Sequence, residues 1–161
     1  MADPPDQVPV APPFQGYWAL DAFGVSVPES LADPKKAIGA ITKAQAECPF
    51  DAIEVVWDWF AFLDVLGCTS EIASVGSPMV VHNPLKSIDE VTKLVPVDTS
   101  ADGRVKASLV AAEALLAEFG EEVFCYASIP LPFTLAGHLS GVPQLIGLLA
   151  HVPSKNPCSE A

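Results

Sequence analysis

The most informative segment of the chain is FDAIEVVWDWFAFLDVLGC, which runs from Phe50 to Cys68. Its first part, Ala52 to Trp57, is apolar and rich in β-branched residues, which favours a buried strand. From Trp59 onward the apolar residues recur at helical spacing, and Gly67 suits the end of a helix. The segment therefore predicts a strand and then a helix, with Asp58 at their junction.

The same alternation of strand and helix signals extends to both sides of this segment. Asp33 before Pro34 is typical of a helix start, and this predicts a helix that runs toward Cys48. Strands and helices that alternate at these lengths indicate β/α units around a parallel sheet. The other predicted elements are a strand at 77–82, a short helix from a Ser87/Glu90 capping box toward Leu94, a helix capped by Asp102 with a stripe of Val105, Leu109, Ala112, Leu116 and Phe119, a strand at 123–129, and helices at 131–139 and 142–149.

Composition excludes several classes of protein. Half of the 161 residues are hydrophobic, which excludes a chain that is disordered throughout. The formal net charge is −12, and a surface of that sign repels phosphate backbones and anionic lipids, so we expect neither nucleic-acid nor membrane partners. Four scattered cysteines without a CxxC pair, and no signal-peptide pattern, indicate a reducing, cytoplasmic location.

The predicted domain organisation has three parts. Residues 1–13 contain five prolines and predict an extended lead-in rather than a helix. Residues 14–152 form the folded domain, and residues 153–161 form a polar tail.

Four sequence blocks, in order, resemble the uroporphyrinogen decarboxylase superfamily. The segment from Phe50 to Cys68 is similar to the family's strand that ends in Asp before a helix closing on Leu-Gly. The other three blocks are VPVAPPFQGYWALDAFGVSVPESLADPKKA, HNPLKSIDEVTKL and SIPLPFTLAGHLSG. The resemblance implies the first half of a (β/α)8 barrel, because such barrels typically need about 250 residues.

Within the superfamily, the chain resembles the corrinoid methyltransferase branch better than the decarboxylases. Decarboxylases bind a substrate with many carboxylates through an Arg-rich opening loop, whereas GYWALDAFG here contains neither Arg nor Lys. The methyltransferases move a methyl group from a methylated corrinoid to a thiol that zinc holds as thiolate. Their zinc-binding half is not matched here, so we expect no cofactor bound by this chain alone, with corrinoid and zinc belonging to the complete enzyme.

Asp58 is the candidate catalytic residue. It matches the position at which decarboxylases keep an Asp that binds the pyrrole N–H groups of a tetrapyrrole, at the carboxyl end of a barrel strand. The alternative is a helix cap. We therefore predict that Asp58→Ala abolishes tetrapyrrole or corrinoid binding in a completed barrel and costs about 1 kcal/mol, the scale of a lost cap.

The resemblance also implies candidate substrate-binding residues. His138 stands where decarboxylases carry a pocket Tyr, and Phe133 and Thr134 belong to the same loop. Trp18, beside Tyr17, could line the mouth of a pocket. The alternative for each is packing in the core or in a turn.

No metal site or paired-carboxylate site is predicted from spacing. His82, Cys68 and Cys125 lack partners at metal-ligand spacing. Asp64 lies six positions after Asp58, which does not place both on one helical face, and we expect it in a solvated turn.

Three functions remain open. The chain is half of a tetrapyrrole- or corrinoid-handling barrel that is inactive alone, or it is completed by a second-half partner chain, or it is a non-enzymatic module that binds or dimerises through its exposed sheet edge. The alternative chemistry within the family is decarboxylation of a tetrapyrrole.

Overall fold

The computed structural model describes residues 8–73, 76–96, 98 and 103–151. In chain order, the elements are α1 (Gln15–Ala22), α2 (Val27–Ala32), α3 (Pro34–Glu47), β1 (Ala52–Val56), α4 (Phe60–Val65), β2 (Thr69–Glu71), β3 (Met79–His82), a 3-10 helix (Ile88–Lys93), α5 (Gly103–Phe119), β4 (Phe124–Ala127), α6 (Pro132–Ser140) and α7 (Val142–Ala150). The predicted strand and helix around Asp58 are confirmed as β1 and α4. The proposed Asp102 cap lies outside the described residues.

Strands β1 and β4 form a parallel pair. Ala52 pairs with Phe124 and Glu54 with Tyr126, and the register shifts before Val56. Every residue of β1 is buried, because α1 and α5 pack against it and α3 packs against both helices. This arrangement of parallel strands and covering helices is the predicted α/β class.

Strands β2 and β3 form a separate antiparallel hairpin, so the expectation that strand 77–82 belongs to the parallel sheet is wrong. Only residues 72–78 connect them, whereas a parallel crossover needs a dozen or more residues. Met79 and Val81 are exposed on this hairpin. It therefore lies outside the parallel core.

The predicted stripe on α5 is only partly confirmed: Val105 is buried, and Ala112 and Phe119 pack partly buried against the core. The buried positions are Val105, Ser108, Ala111 and Leu115. Leu109 and Leu116 are instead 36% and 53% exposed. Both rows recur at helical spacing, and the row with the small residues is the one that allows α5 to approach its neighbours closely.

One of the predicted helix caps is present in the structure and another is not. The Asp33 carboxylate accepts a hydrogen bond from the Lys35 N–H at 3.1 Å, which confirms the cap of α3. Ser87 makes no side-chain cap, so the predicted capping box is wrong there. The box forms instead at Ser26 and Glu29, at the start of α2.

None of the described helices is by itself both long enough and apolar enough to cross a membrane, and α6 and α7 would qualify only together, across a bend of 111°.

Gly16 lies where α1 packs against Trp57, the residue that follows β1. A Cβ atom placed there would lie 2.3 Å from the Cβ of Trp57, which is attached directly to the backbone and cannot swing away. We expect Gly16→Ala to lower the free energy of unfolding by about 1–3 kcal/mol, the cost of overpacking. Urea denaturation measures it.

Gly39→Ala is the matched control for this substitution. Gly39 lies inside α3 with no heavy atom within 4 Å of the added Cβ. Alanine in a helix interior is favoured over glycine by about 0.5–1 kcal/mol, so this variant should be more stable than the parent. Equal effects of the two substitutions would contradict the close approach of α1 to Trp57.

Candidate functional site

The carboxyl ends of β1 and β4 meet at one edge of the parallel pair, as they must in a parallel sheet. Trp57, Asp58 and Trp59 follow β1 at this edge, and Ser128 follows β4. In barrels and open parallel sheets, this is the edge at which active sites are built. The candidate site is therefore the group of side chains that surrounds these two strand ends.

Asp58 is completely buried and its carboxylate is paired on both oxygens. The Tyr17 hydroxyl donates to it at 2.9 Å. Arg104 donates from Nε at 2.6 Å and from Nη2 at 3.0 Å, which is a bidentate contact. The Asp58 side chain does not cap α4, because that helix has no side-chain cap hydrogen bond, so the cap alternative is wrong.

Arg104 also binds Asp64, so one guanidinium joins two carboxylates. The Ser70 hydroxyl donates to Asp64 as well, at 2.7 Å. Asp64 is thus a member of a polar cluster and not a residue of a solvated turn, which corrects the sequence expectation. The guanidinium spans the distance between two residues that share no helical face.

The electrostatics of this cluster follow from burial and charge. Burial alone would lower the pKa of Arg104, but Asp58 and Asp64 outweigh it and raise the pKa. Burial, and then the adjacent Asp58 carboxylate, raise the pKa of Tyr17. Arg104 therefore stays charged and Tyr17 stays a neutral donor, and together they lock α1 and α5 to the end of β1.

An aromatic cluster lies at the same edge, formed by Phe14, Trp59, Phe60 and His138. The rings of Trp59 and Phe60 are stacked, with centroids 4.1 Å apart. The His138 ring lies 5.8 Å from Trp59 and 6.2 Å from Phe60. Phe14 reaches Trp59 at 6.4 Å. The rings come from the start of α1, the start of α4 and the end of α6, and they meet at the carboxyl edge of the parallel pair.

Three clefts adjoin this aromatic cluster. One of about 190 Å³ lies between Phe14, Trp59, Ser128 and Thr134. A second, of about 280 Å³, is lined by Tyr17 and Ser77 together with the aromatic rings. A third, of about 380 Å³, is lined by Phe60, His138 and Asn83. Apolar clefts with a few polar groups are the usual form of small-molecule sites.

The structure brings some of the predicted substrate-binding residues together and separates others. Thr134 lines a cleft beside Trp59, and His138 lines the cleft beside Phe60. Phe133 is 64% exposed and lines none of the three clefts. Trp18 packs on Phe50, just before β1 begins, with ring centroids 5.9 Å apart. Contact of Trp18 or Phe133 with a ligand stays a prediction.

His138 is held in place through its backbone. The Asn83 side-chain amide donates to the His138 carbonyl at 2.6 Å, and the thiol of Cys68 approaches the same oxygen at 3.5 Å. Burial raises the pKa of the Cys68 thiol to about 11, so it stays a neutral thiol. These contacts attach the end of α6 to the hairpin side of the site.

Glu54 is a second buried carboxylate, and it lies in β1, before Asp58 in the chain. It is 1% exposed, and among the described residues neither carboxylate oxygen makes a hydrogen bond of ordinary geometry. Burial raises its pKa, and the Ser128 hydroxyl and the Gly16 and Gln15 N–H groups lower it. The three donors therefore offset part of the desolvation cost of this buried carboxylate.

Sequence reasoning missed Arg104, Glu54, Trp59 and Phe60 as members of this region, and it left Tyr17 open between the mouth of a pocket and the core. Tyr17 is buried, but its hydroxyl serves Asp58. One signal was available: Arg104 is the chain's single arginine, and a lone guanidinium beside a helix start suits carboxylate pairing. The aromatic pair carried no separate signal, because its spacing is that of any core helix.

No metal centre is evident in the parts of the chain that the structure describes. Over residues 8–73, 76–96, 98 and 103–151, no group of three or more His, Cys, Asp or Glu side chains is arranged to hold an ion. The zinc that the family resemblance implies therefore does not fit the residues described here.

The chain matches known proteins over nearly its whole length. The sequence profile of the uroporphyrinogen decarboxylase (URO-D) family matches residues 2–155. Among curated proteins, the methylcobamide:CoM methyltransferase MtbA of Methanosarcina acetivorans is 28% identical over 123 residues. The protein of the same name from Methanosarcina mazei is 27% identical over 125 residues. Each match covers 76% of this chain and 36% of the relative, so the chain spans about a third of their length.

A solved structure shares the fold. A methyltransferase from Methanosarcina mazei superposes with a TM-score of 0.73 over 90% of this chain and 44% of its own, at 21% identity. The likeness confirms the predicted fold, part of a parallel β/α barrel. The profile match over residues 2–155 shows that the chain belongs to the uroporphyrinogen decarboxylase (URO-D) family.

Proposed function

We propose that this chain forms the corrinoid-facing part of a methyltransferase that moves a methyl group from a methylated corrinoid to a thiol. The observation that carries the proposal is the aromatic cluster around Trp59, set between open clefts at the carboxyl edge of β1 and β4. The names of the curated relatives support the substrate class.

The geometry suits a large, mostly apolar ring. Aromatic side chains bind flat ligands by offset stacking and edge contacts, and they bury much apolar area. Trp59 is half-buried and lines two of the clefts, so one side of its ring packs on Phe60 and another faces open space. His138 adds a polar tip at the border of the third cleft.

Decarboxylation of a tetrapyrrole is the weaker alternative for this chain. A substrate with many carboxylates needs guanidinium groups that are free to pair with it. The single arginine, Arg104, is 13% exposed and already binds Asp58 and Asp64. The chain has no second arginine to pair with a substrate carboxylate, and its net charge of −12 repels an anionic substrate.

The chain's own residues bind and position rather than perform the transfer. The hydrogen bonds of Asp58 with Tyr17 and Arg104 hold α1 and α5 against the end of β1. They therefore fix the position of the backbone that carries Trp59. Zinc holds a thiol as the nucleophilic thiolate in this chemistry, but the described residues offer it no ligand set. We propose that the chain alone lacks methyl transfer and that further β/α units supply it, from the same chain or from a partner.

A second candidate, a binding or dimerising module, is favoured by the exposed residues on and after β4. Phe124, Leu131 and Phe133 are 72%, 69% and 64% exposed. Among the described strands, β4 pairs only with β1, so its other edge is open. Light scattering on the purified chain separates the candidates: a stable homodimer without corrinoid binding would favour the module.

Replacement of Trp59 tests the proposed function. We expect the chain to bind methylcobalamin, seen as a shift of the corrinoid absorbance and quenching of Trp fluorescence. Trp59→Ala should weaken the binding about tenfold, because truncation of a central aromatic contact typically costs that much or more. Trp59→Phe should keep most of it, since a stacking ring remains.

Phe124→Ala is the control for this measurement. Phe124 is an exposed aromatic residue on the same sheet, at the amino end of β4 and away from the clefts. Its replacement should leave the affinity unchanged. Absence of corrinoid binding by the parent chain, or equal losses in Trp59→Ala and Phe124→Ala, would overturn the proposal.

A further inference from the structure

The last turn of α6 is capped by a segment from elsewhere in the chain. The final carbonyl groups of a helix have no partner within that helix, and two of them here belong to His138 and Leu139. The Asn83 side chain donates an N–H to the His138 carbonyl at 2.6 Å, and the Leu85 backbone N–H donates to the Leu139 carbonyl at 2.9 Å. Because these donors directly follow β3, the chain after the hairpin holds the end of α6.

Asn83 is the stronger of the two side-chain donors that approach the His138 carbonyl. The other is the Cys68 thiol at 3.5 Å, and a thiol is a weak donor. The direction of the Asn83 amide is also fixed, because a carbonyl oxygen accepts from Nδ2 and repels Oδ1. Gly141 ends α6 with a φ of 86°, and a Cβ atom there would lie 3.4 Å from the Asn83 Oδ1 atom. The amide is therefore held between the hairpin and the turn that follows α6.

The position of the His138 backbone decides where the imidazole ring lies. The ring packs 5.8 Å from Trp59 and 6.2 Å from Phe60, and both of these rings come from the start of α4. A displacement of the end of α6 would move the imidazole relative to both. Asn83 and His138 line the same cleft of about 380 Å³, so their hydrogen bond lies beside space that is open to a ligand. Contact residues of a binding site need such support, because they must be held to within about 0.5 Å.

We propose that Asn83 is a positioning residue for corrinoid binding and that it acts through His138. The Asn83 amide fixes the end of α6, and the end of α6 holds the imidazole beside Trp59 and Phe60, where a ligand in the cleft contacts it. The inference rests on the proposed function. It adds a residue whose effect on affinity depends on His138 and not on a contact of its own with the corrinoid.

The test is a double-mutant cycle on the affinity for methylcobalamin, measured by absorbance titration. His138→Ala should weaken binding about tenfold, the scale of a central contact. Asn83→Ala should weaken it about threefold to tenfold. The double variant should bind no more weakly than His138→Ala alone, because two residues that act through one contact are not additive.

Asn83→Asp is a second variant of the same size. An ionised aspartate has no proton to donate to the His138 carbonyl, and its charged oxygen repels that carbonyl. It should therefore weaken methylcobalamin binding at least as much as Asn83→Ala does. Because it fills the same space, it tests the hydrogen bond without leaving a cavity.

A spectroscopic measurement follows the imidazole ring without any ligand. The chain has three histidines, so the His138 ring resonances can be assigned by comparing the parent with His138→Ala. In the parent, ring currents of Trp59 and Phe60 shift these resonances. Asn83→Ala and Asn83→Asp should both move them toward the values of an isolated imidazole. A loss of stability alone would leave them unchanged in the folded protein.

Ser26→Ala is the control for stability. Ser26 caps α2 together with Glu29, and it lines none of the three clefts. Its replacement removes a helix cap and so lowers stability. The affinity for methylcobalamin and the His138 resonances should both stay as they are in the parent.

The outcomes separate this inference from the proposed function. The positioning inference is overturned, while corrinoid binding stands, if both Asn83 variants keep the affinity or the His138 resonances of the parent. It is equally overturned if Asn83→Ala weakens binding by the same factor with and without His138. If the parent binds no corrinoid, both proposals fail. A loss of affinity that disappears in the His138→Ala background, together with shifted His138 resonances, supports the inference.

Discussion

Asp58→Ala is expected to lower the free energy of unfolding by about 3–5 kcal/mol, as found when one partner of a buried ion pair is removed. The reason is that Arg104 and Tyr17 would lose the carboxylate that accepts three of their hydrogen bonds. Asp64 would keep part of the guanidinium satisfied, which places the expected value toward the lower end. Urea denaturation followed by circular dichroism measures the change.

Asp33→Ala provides the matched control, because it is the same substitution at a residue that does cap a helix. Its carboxylate accepts the Lys35 N–H on an exposed helix start. The expected cost is about 1 kcal/mol, typical of a lost cap. This is also the cost that the sequence predicted for Asp58. Equal costs at Asp33 and Asp58 would show that the buried pair contributes no more than a cap.

Arg104→Lys is expected to cost about 2 kcal/mol although it keeps the positive charge, because hydrogen bonds to charged groups contribute about that much. The guanidinium binds Asp58 through two nitrogens and Asp64 through a third. A lysine ammonium is a compact charge without a planar fork, and it cannot satisfy both carboxylates with that geometry.

The reverse exchange, Lys106→Arg, serves as the control for Arg104→Lys. Lys106 lies two residues further along α5 and is exposed. Exchanges at exposed positions usually change stability by no more than about 0.5 kcal/mol. If Arg104→Lys were equally silent, the bridge between Asp58 and Asp64 would depend on charge alone and not on the fork.

Much of the fold could be predicted because local patterns govern it. The β-branched run at Ala52–Val56 becomes β1, and Asp33 before Pro34 starts α3. The exceptions have physical causes. The strand near Met79 reads locally like any other strand, and its antiparallel pairing follows from the short connection to β2. The stripe on α5 was partly misplaced because two adjacent rows of that helix both recur at helical spacing.

The candidate site was only partly predictable. The position of Asp58 at a strand end, and the family to which the chain belongs, could be inferred from residues that are contiguous in sequence. The partners of Asp58 could not, since Tyr17 lies 41 positions before it and Arg104 lies 46 positions after it. Hydrogen-bond partners at such separations depend on how the helices pack together, and the packing of helices cannot be inferred from composition.

The sequence by itself determined the α/β class, the junction at Asp58 and the shortage of arginine that disfavours a substrate rich in carboxylates, because each depends on local pattern or on composition. The tertiary structure alone decided that Asp58 is buried in an ion pair, that Trp59 and Phe60 join His138 beside the clefts, and that the Glu54 side chain is buried. These features arise where α1, α4, α5 and α6 converge on two strand ends, and long-range packing sets that convergence.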